Sequence, residues 1–140
     1  MQRSGARWLL AGLLIGAGLL VGACASRDHH VATDEELNVY PANYKADIAA
    51  AMHAYLNDPT GIRDAAVSEP ALKSGGMTEH PRYTVCLRFN PKKSAGAYQG
   101  VKEVAAVFLA GRFDRFVETP HELCAGANYA PFPELEKLTQ

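Results

Sequence analysis

Cysteine and histidine side chains are the groups of this chain whose types could support catalysis or metal binding. The cysteines are Cys24, Cys86 and Cys124, and none belongs to the Cys-X-X-Cys motif of redox enzymes or the Cys-X-X-Cys-His motif that attaches haem. His121 precedes Cys124 by three residues, so a histidine base beside a cysteine nucleophile is one arrangement to consider. That arrangement requires Cys124 to be a free thiol.

Metal binding has one candidate segment, Asp28-His29-His30. Its side chains lie in a polar stretch and would have to become ordered on binding, which weakens any such site. The remaining histidines show no His-Glu-X-X-His spacing, and no phosphate loop, dinucleotide motif or Gly-X-Ser-X-Gly motif occurs. We therefore predict no metal site, no cofactor and no catalytic residue, although carboxylates on separate strands can still meet in space.

An apolar segment occupies the N-terminus. Residues 8–23 contain no charged side chain, and Arg3 and Arg7 precede them. This order of basic, apolar and small residues is typical of an export signal. The alternative is a transmembrane anchor, but sixteen helical residues reach only about 24 Å, against roughly 30 Å of hydrocarbon. We therefore predict that residues 1–23 are a signal peptide.

The end of this segment, Val21-Gly22-Ala23-Cys24, resembles the lipobox of bacterial lipoprotein precursors. The resemblance implies cleavage before Cys24, a diacylglyceryl thioether on its sulfur and an acyl group on the new amino terminus. Such chains anchor a protein stably, because each buried methylene contributes ~0.8 kcal/mol. Ala25 and Ser26 stand where an aspartate would signal retention at the inner membrane, so we expect the periplasmic face of the outer membrane.

With Cys24 assigned to lipid, Cys86 and Cys124 remain as an even pair in an oxidising compartment. We expect a disulfide between them, which would remove the thiol that a nucleophile needs.

The chain has 14 Lys and Arg against 15 Asp and Glu, and loss of Arg3 and Arg7 leaves 12 basic side chains. This acidic excess offers no basic face for nucleic acid.

The predicted mature chain has two parts. Residues 24–40 are polar and acidic with few apolar side chains, which predicts a flexible tether between lipid and domain. Residues 41–140 are long enough for a single periplasmic domain with a modest core. In this domain, apolar residues from Tyr44 to Tyr55 recur at helical spacing, with Asn43 as the cap and Asn57-Asp58-Pro59 as the end.

The period then changes to two, which predicts an antiparallel sheet of three or four strands and hence an α+β fold. Residues 82–89 alternate polar and apolar, and the runs 104–109 and 113–117 flank a turn that contains Gly111. A weaker edge strand is expected at 62–72, because Pro70 lacks an N–H group. We expect the helix to pack on one face of this sheet through the following residues: Tyr44, Ile48, Met52 and Tyr55 from the helix, and Tyr83, Val85, Leu87 and Phe89 from the strand.

Residues 120–140 are predicted to form an extended tail without regular structure, pinned by the disulfide to the second face of the sheet. Phe132 and Leu135 should be covered there.

Between the strands, Lys92, Lys93 and Lys102 lie near Tyr98, a combination that is more typical of a solvated turn than of a binding patch.

Four segments resemble uncharacterised small envelope lipoproteins of Gram-negative bacteria: Tyr40-Pro-Ala-Asn-Tyr44, Tyr55-Leu-Asn-Asp-Pro59, Val85-Cys-Leu-Arg88 and Tyr129-Ala-Pro-Phe-Pro-Glu-Leu135. The resemblance carries no activity or ligand. We therefore expect a noncatalytic, lipid-anchored envelope protein that binds another protein or the cell wall. The alternative is a periplasmic hydrolase or small-ligand carrier, which a deep pocket with two perturbed titratable groups would favour.

Overall fold

The computed structural model describes residues 30–75 and 78–140. The predicted signal peptide, the predicted lipobox with Cys24, and Asp28 and His29 lie outside these residues. The chain divides into residues 1–30 and 31–140, and the second unit contains all the elements described below. In chain order these are α1 (Asp34–Leu37), α2 (Tyr44–Tyr55), β1 (Arg63–Val67), β2 (Ala71–Gly75), β3 (Thr78–Asn90), β4 (Lys102–Leu109), β5 (Arg112–Val117), β6 (Ala130–Pro131) and α3 (Pro133–Glu136). None of the described helices is long and apolar enough to cross a bilayer.

The sheet is antiparallel, as predicted, but within residues 30–75 and 78–140 it has six strands rather than three or four. Its order is β5-β4-β3-β1-β6, and β2 also pairs with β3. One side of β3 pairs with β4, while the other side pairs with β2 and then with β1. The predicted strand at 62–72 divides into β1 and β2, because Pro70 lies in the break and cannot donate to a sheet hydrogen bond.

The main core lies between α2 and one face of the sheet. Helix α2 spans the predicted residues, and Tyr44, Ile48 and Met52 are its buried side chains. Val85, Leu87 and Phe89 of β3 face them in the same cluster, with Tyr55 and Tyr83 packed at its margin. The predicted packing is confirmed. Asn43 occupies the N-cap position, but its side chain forms no capping hydrogen bond, in contrast to the prediction.

Strands β4 and β5 form the predicted hairpin. The two residues between them, Ala110 and Gly111, have φ angles of 50° and 76°. Positive φ at both positions is the geometry of type I′ turns, whose twist matches that of the flanking strands. Glycine meets this requirement without strain, whereas Ala110 carries a Cβ in the left-handed region.

Residues 33–40 are docked on the sheet, in contrast to the flexible tether predicted for 24–40. We call them the N-terminal strap. Thr33 and Glu36 form a capping box at the start of α1, and Asp34 accepts a hydrogen bond of 3.0 Å from Arg82. The Ala110 N–H donates to the Leu37 carbonyl oxygen at 2.8 Å, and the Tyr40 ring contacts Tyr83 edge-on. These polar contacts order a segment that has too few apolar residues to signal packing in its sequence.

The Cys86–Cys124 disulfide is present, and the two Cα atoms are 5.7 Å apart. Together with Ala105 and Leu123, this pair forms a second, smaller core on the opposite face from α2. The segment after Cys124 is not an irregular tail, because it contains β6 and α3.

The predicted location of Phe132 and Leu135 on the second face is wrong. Both side chains are fully buried in the main core beside Ile48 and Met52. The physical reason is that β6 pairs with β1 at the edge of the sheet, so the chain passes around that edge to the helix side. The Phe132 N–H donates to the Ala65 carbonyl oxygen at 2.8 Å and fixes this crossing.

Candidate functional site

A polar depression of about 300 Å³ lies beside the C-terminal end of α2, and we call it the basic depression. Its lining residues are Tyr55, Leu56, Asn57, Asp58, Lys92, Lys93, Ser94, Gln99, Lys102 and Glu118. It is open to solvent rather than enclosed. The structure thus brings together Lys92, Lys93 and Lys102, the three lysines that the sequence assigned to a solvated turn.

The loop that carries two of these lysines is held in place by Tyr98. The Tyr98 hydroxyl donates to the Gly61 carbonyl oxygen at 3.1 Å. The Arg63 guanidinium lies 4.3 Å from the centre of the Tyr98 ring, and the Lys92 ammonium lies 5.5 Å from it. Cations over an aromatic face are attracted to its negative charge distribution. The loop is therefore fixed by contacts of Tyr98, and Lys92 is positioned at one wall of the depression.

Both carboxylates of the basic depression are already engaged by hydroxyl groups. Asp58 accepts hydrogen bonds from the Thr60 hydroxyl at 2.6 Å and from the Thr60 N–H at 2.9 Å. These bonds hold the pKa of Asp58 below its usual value. The Tyr55 hydroxyl donates to Glu118 at 3.1 Å. Burial, reinforced by Glu118, raises the pKa of Tyr55 to about 12.

These pKa shifts matter for the kind of chemistry that the depression could perform. A general acid or base works best when its pKa lies near the operating pH. The pKa of Asp58 is lowered and that of Tyr55 is raised, so both shifts lead away from neutrality. Neither group therefore has its pKa shifted toward the value that a general acid or base needs at neutral pH.

No known protein family, curated protein or solved structure matches this chain.

A second polar cluster lies on the opposite face, beside the disulfide. The Glu103 carboxylate accepts hydrogen bonds from the Tyr129 hydroxyl at 2.6 Å and from Arg88 at 2.9 Å, and the Arg88 guanidinium lies 4.0 Å from the centre of the Tyr129 ring. The Tyr129 hydrogen bond, followed by Arg88, lowers the pKa of Glu103. Burial and then the Glu103 hydrogen bond raise the pKa of Tyr129. We call these three residues the clasp, because they join the disulfide-linked segment to β3 and β4.

The candidate residues from the sequence occupy separate places. Cys124 is bonded to Cys86, so it cannot act as the nucleophile that His121 would activate. His80 lies 3.1 Å from Asp34 in the N-terminal strap, and His53 is exposed on α2. Within residues 30–75 and 78–140, no three His, Cys, Asp or Glu side chains converge as metal ligands.

Sequence reasoning missed both the clasp and the strap. The strap had a readable signal, since Thr33-Asp34-Glu35-Glu36 fits the capping-box pattern in which a threonine is followed three residues later by glutamate. The clasp had none. Arg88 and Tyr129 are 41 positions apart, and only the folded sheet places them together.

Proposed function

We propose that the chain is exported, lipidated at Cys24 and held at the periplasmic face of the outer membrane as a noncatalytic binding protein. The observation that carries the proposal is the Cys86–Cys124 disulfide. Disulfides persist in oxidising compartments such as the bacterial periplasm. Its presence in a chain that begins with a signal-like segment and Val21-Gly22-Ala23-Cys24 supports export.

The binding role is proposed from the basic depression. Three ammonium groups and two carboxylates line it, and the carboxylates accept hydrogen bonds from Thr60 and Tyr55. The lining therefore has an excess of one positive charge, together with the N–H donors of its lysines. This chemistry suits a partner that presents carboxylates, such as an acidic segment of an envelope protein or the peptide stems of the cell wall.

The alternative binding mode is addition of a partner strand to β5, which ends the sheet order. The register of β5 is interrupted by a bulge opposite Val107 and Phe108, and Arg112, Asp114 and Arg115 lie along the strand. Bulges and charged side chains on outer strands oppose edge-to-edge pairing. The basic depression is therefore the better candidate for the partner surface.

The lipid assignment is tested by labelling cells with radioactive palmitate. Cys24→Ala should give unprocessed precursor without label, because lipid attachment precedes cleavage in this pathway. Ser26→Ala, a change two residues away that spares the cysteine, serves as the matched control and should be labelled normally. Label on the Cys24→Ala protein at the wild-type level would refute lipidation at this residue.

The binding role is tested by photo-crosslinking in intact cells. A photoreactive residue in place of Ser94 lies in the basic depression, and one in place of Ala125 is an exposed control on the disulfide-linked segment. We expect a discrete crosslinked product from position 94, lost when Lys93 is replaced by Glu. Equal products from positions 94 and 125, or none from position 94, would refute the basic depression as the partner surface.

A further inference from the structure

Among the residues that the structure describes, most of the exposed large apolar side chains lie toward one end of the domain. The full set is Val31, Val39, Tyr40, Leu72, Val101 and Leu109. Leu109 is the last residue of β4, whereas Val101 comes just before its first residue. Eight residues of strand at about 3.3 Å each separate these two positions by roughly 26 Å. Val101 therefore marks the opposite end.

Three of these residues, Val39, Tyr40 and Leu72, are linked by sequence or by contacts. Together with Leu109 at the nearby end of β4 and Val31 just before the strap, we call them the apolar end. Leu109 lies on the opposite face of the sheet from Leu72, because its neighbour Phe108 is the cross-strand partner of Tyr83. Tyr40 contacts the Tyr83 ring, and Tyr83 is the cross-strand partner of Leu72. Directly opposed residues of an antiparallel pair place their side chains side by side.

The remaining members of the apolar end adjoin the β4–β5 turn. A Val39 methyl lies 3.2 Å from where a Cβ on Gly111 would stand, and Leu109 directly precedes the turn. Val31 comes two residues before the Thr33 cap of the strap. The apolar end thus follows the strap around the end of the sheet.

The chain enters the domain at this end. Only six residues, 25–30, lie between Cys24 and Val31. A fully extended chain covers at most about 3.6 Å per residue, so Val31 stays within roughly 25 Å of Cys24. An acyl group on Cys24 would therefore hold Val31, and the strap that follows it, within that distance of the membrane surface.

We propose that the apolar end rests on the phospholipid surface in which Cys24 is anchored, so that the domain has a defined orientation on the membrane. This inference depends on the proposed lipidation. Arg112 is the cross-strand partner of Leu109, and Glu35 is exposed in α1. With charges of both signs beside its apolar side chains, the surface suits zwitterionic phospholipid headgroups. Amphipathic surfaces of this kind bury their apolar side chains at the boundary between headgroups and acyl chains.

The orientation also has a consequence for the partner surface. The basic depression contains Lys102, the first residue of β4, while the apolar end contains Leu109, the last. The strand therefore holds the depression at the far side of the domain from the lipid. Resting on the apolar end would point the depression away from the membrane, toward the periplasm.

The test uses the lipidated protein in zwitterionic phosphatidylcholine vesicles, with nitroxide labels on single introduced cysteines. Leu109→Cys and Tyr40→Cys report on the apolar end, and Val101→Cys is the matched control because it is an exposed apolar residue outside that end. Accessibility to a water-soluble nickel reagent is compared with accessibility to oxygen, which partitions into lipid. We expect nickel accessibility several-fold lower at positions 40 and 109 than at position 101.

Two other results of this labelling experiment would overturn the docking proposal. Equal nickel accessibility at all three positions would overturn the docking proposal. Protection at 40 and 109 with dipolar broadening between labels on separate molecules would overturn it in favour of contact between two copies. Mass analysis of Cys24 in the same samples separates the two proposals, because absence of lipid there contradicts the proposed function, whereas exposed labels on lipidated protein contradict only the docking.

Discussion

Two phenol groups, one in the main core and one at its margin, donate hydrogen bonds to carboxylates. Tyr55 donates to Glu118 at 3.1 Å, and Tyr44 donates to Glu69 at 3.2 Å. Burial, followed by the influence of the neighbouring carboxylate, raises the pKa of each tyrosine to about 12. An unfolded chain ionises its tyrosines near pH 10. Between pH 10 and 12 the folded state therefore binds more protons than the unfolded state.

This difference predicts how stability changes with alkaline pH. The free energy of unfolding should be constant with respect to these tyrosines below pH 10 and should fall as pH rises toward 12, because the unfolded chain then releases protons first. Tyr55→Phe should make this fall less steep. The measurement is chemical denaturation at a series of pH values, combined with the absorbance of tyrosinate. An unchanged slope in the Tyr55→Phe protein would contradict the assignment.

Ile48 offers a second prediction at the level of one residue. Its side chain is fully buried between α2 and the sheet. Ile48→Ala should lower the free energy of unfolding by roughly 2 to 5 kcal/mol, because it removes apolar contacts and leaves a cavity. His53→Ala, on the exposed side of the same helix, should change it by less than about 0.5 kcal/mol. Equal effects of the two substitutions in urea denaturation would contradict the observed packing of α2.

Among the elements, the β4–β5 hairpin contains a position whose side chain conflicts with its backbone. Ala110 has a φ of 50°, and its turn partner Gly111 has 76°. Ala110→Asn should raise the free energy of unfolding by roughly 0.5 to 1 kcal/mol, because Asn-Gly is a preferred pair at type I′ turns and asparagine tolerates this region. Ala110→Val should lower it, since a β-branched residue is poorly tolerated at positive φ. In thermal denaturation, Ala110→Asn should melt above the wild type and Ala110→Val below it.

The strap shows how a short segment can be ordered by contacts with the sheet. Helix α1 has only four residues and no buried side chain. An isolated helix of that length would not be stable in water. Its capping box and the Asp34–Arg82 pair supply the stabilising contacts instead. The Arg82 hydrogen bond accordingly lowers the pKa of Asp34.

For the whole molecule, the disulfide joins the C-terminal segment to the middle of the sheet. Cys86 and Cys124 are 38 positions apart. Closing a loop of this length should stabilise the fold by about 4 kcal/mol in the chain-entropy estimate, an upper value if the reduced chain keeps residual structure. The Cys86→Ala, Cys124→Ala double variant should therefore melt at lower temperature, while the proposed export and lipidation at Cys24 should be unaffected. A melting temperature equal to that of the wild type would contradict a stabilising role for the bridge.

Local pattern was sufficient for some of this architecture. The period of 3.6 placed α2 at Tyr44–Tyr55, and the period of two identified which residues of β3 face it. Pairing of Cys86 with Cys124 followed once Cys24 was set aside for lipid. The buried faces of α2 and β3 can be predicted because nearby residues in the sequence repeat with the period of each element. The disulfide could be predicted because only two cysteines remained to pair.

Other features depended on the tertiary structure alone. Periodicity shows that Phe132 and Leu135 need cover, but not on which side of the sheet, and that was decided by pairing of β6 with β1. The basic depression was likewise not predictable from local pattern, because Lys92 and Lys102 come from opposite sides of a loop and Tyr55 comes from a helix. A sequence pattern records whether a segment has an apolar face. The route of the chain around the sheet depends on contacts between distant residues, which form only when the whole core packs.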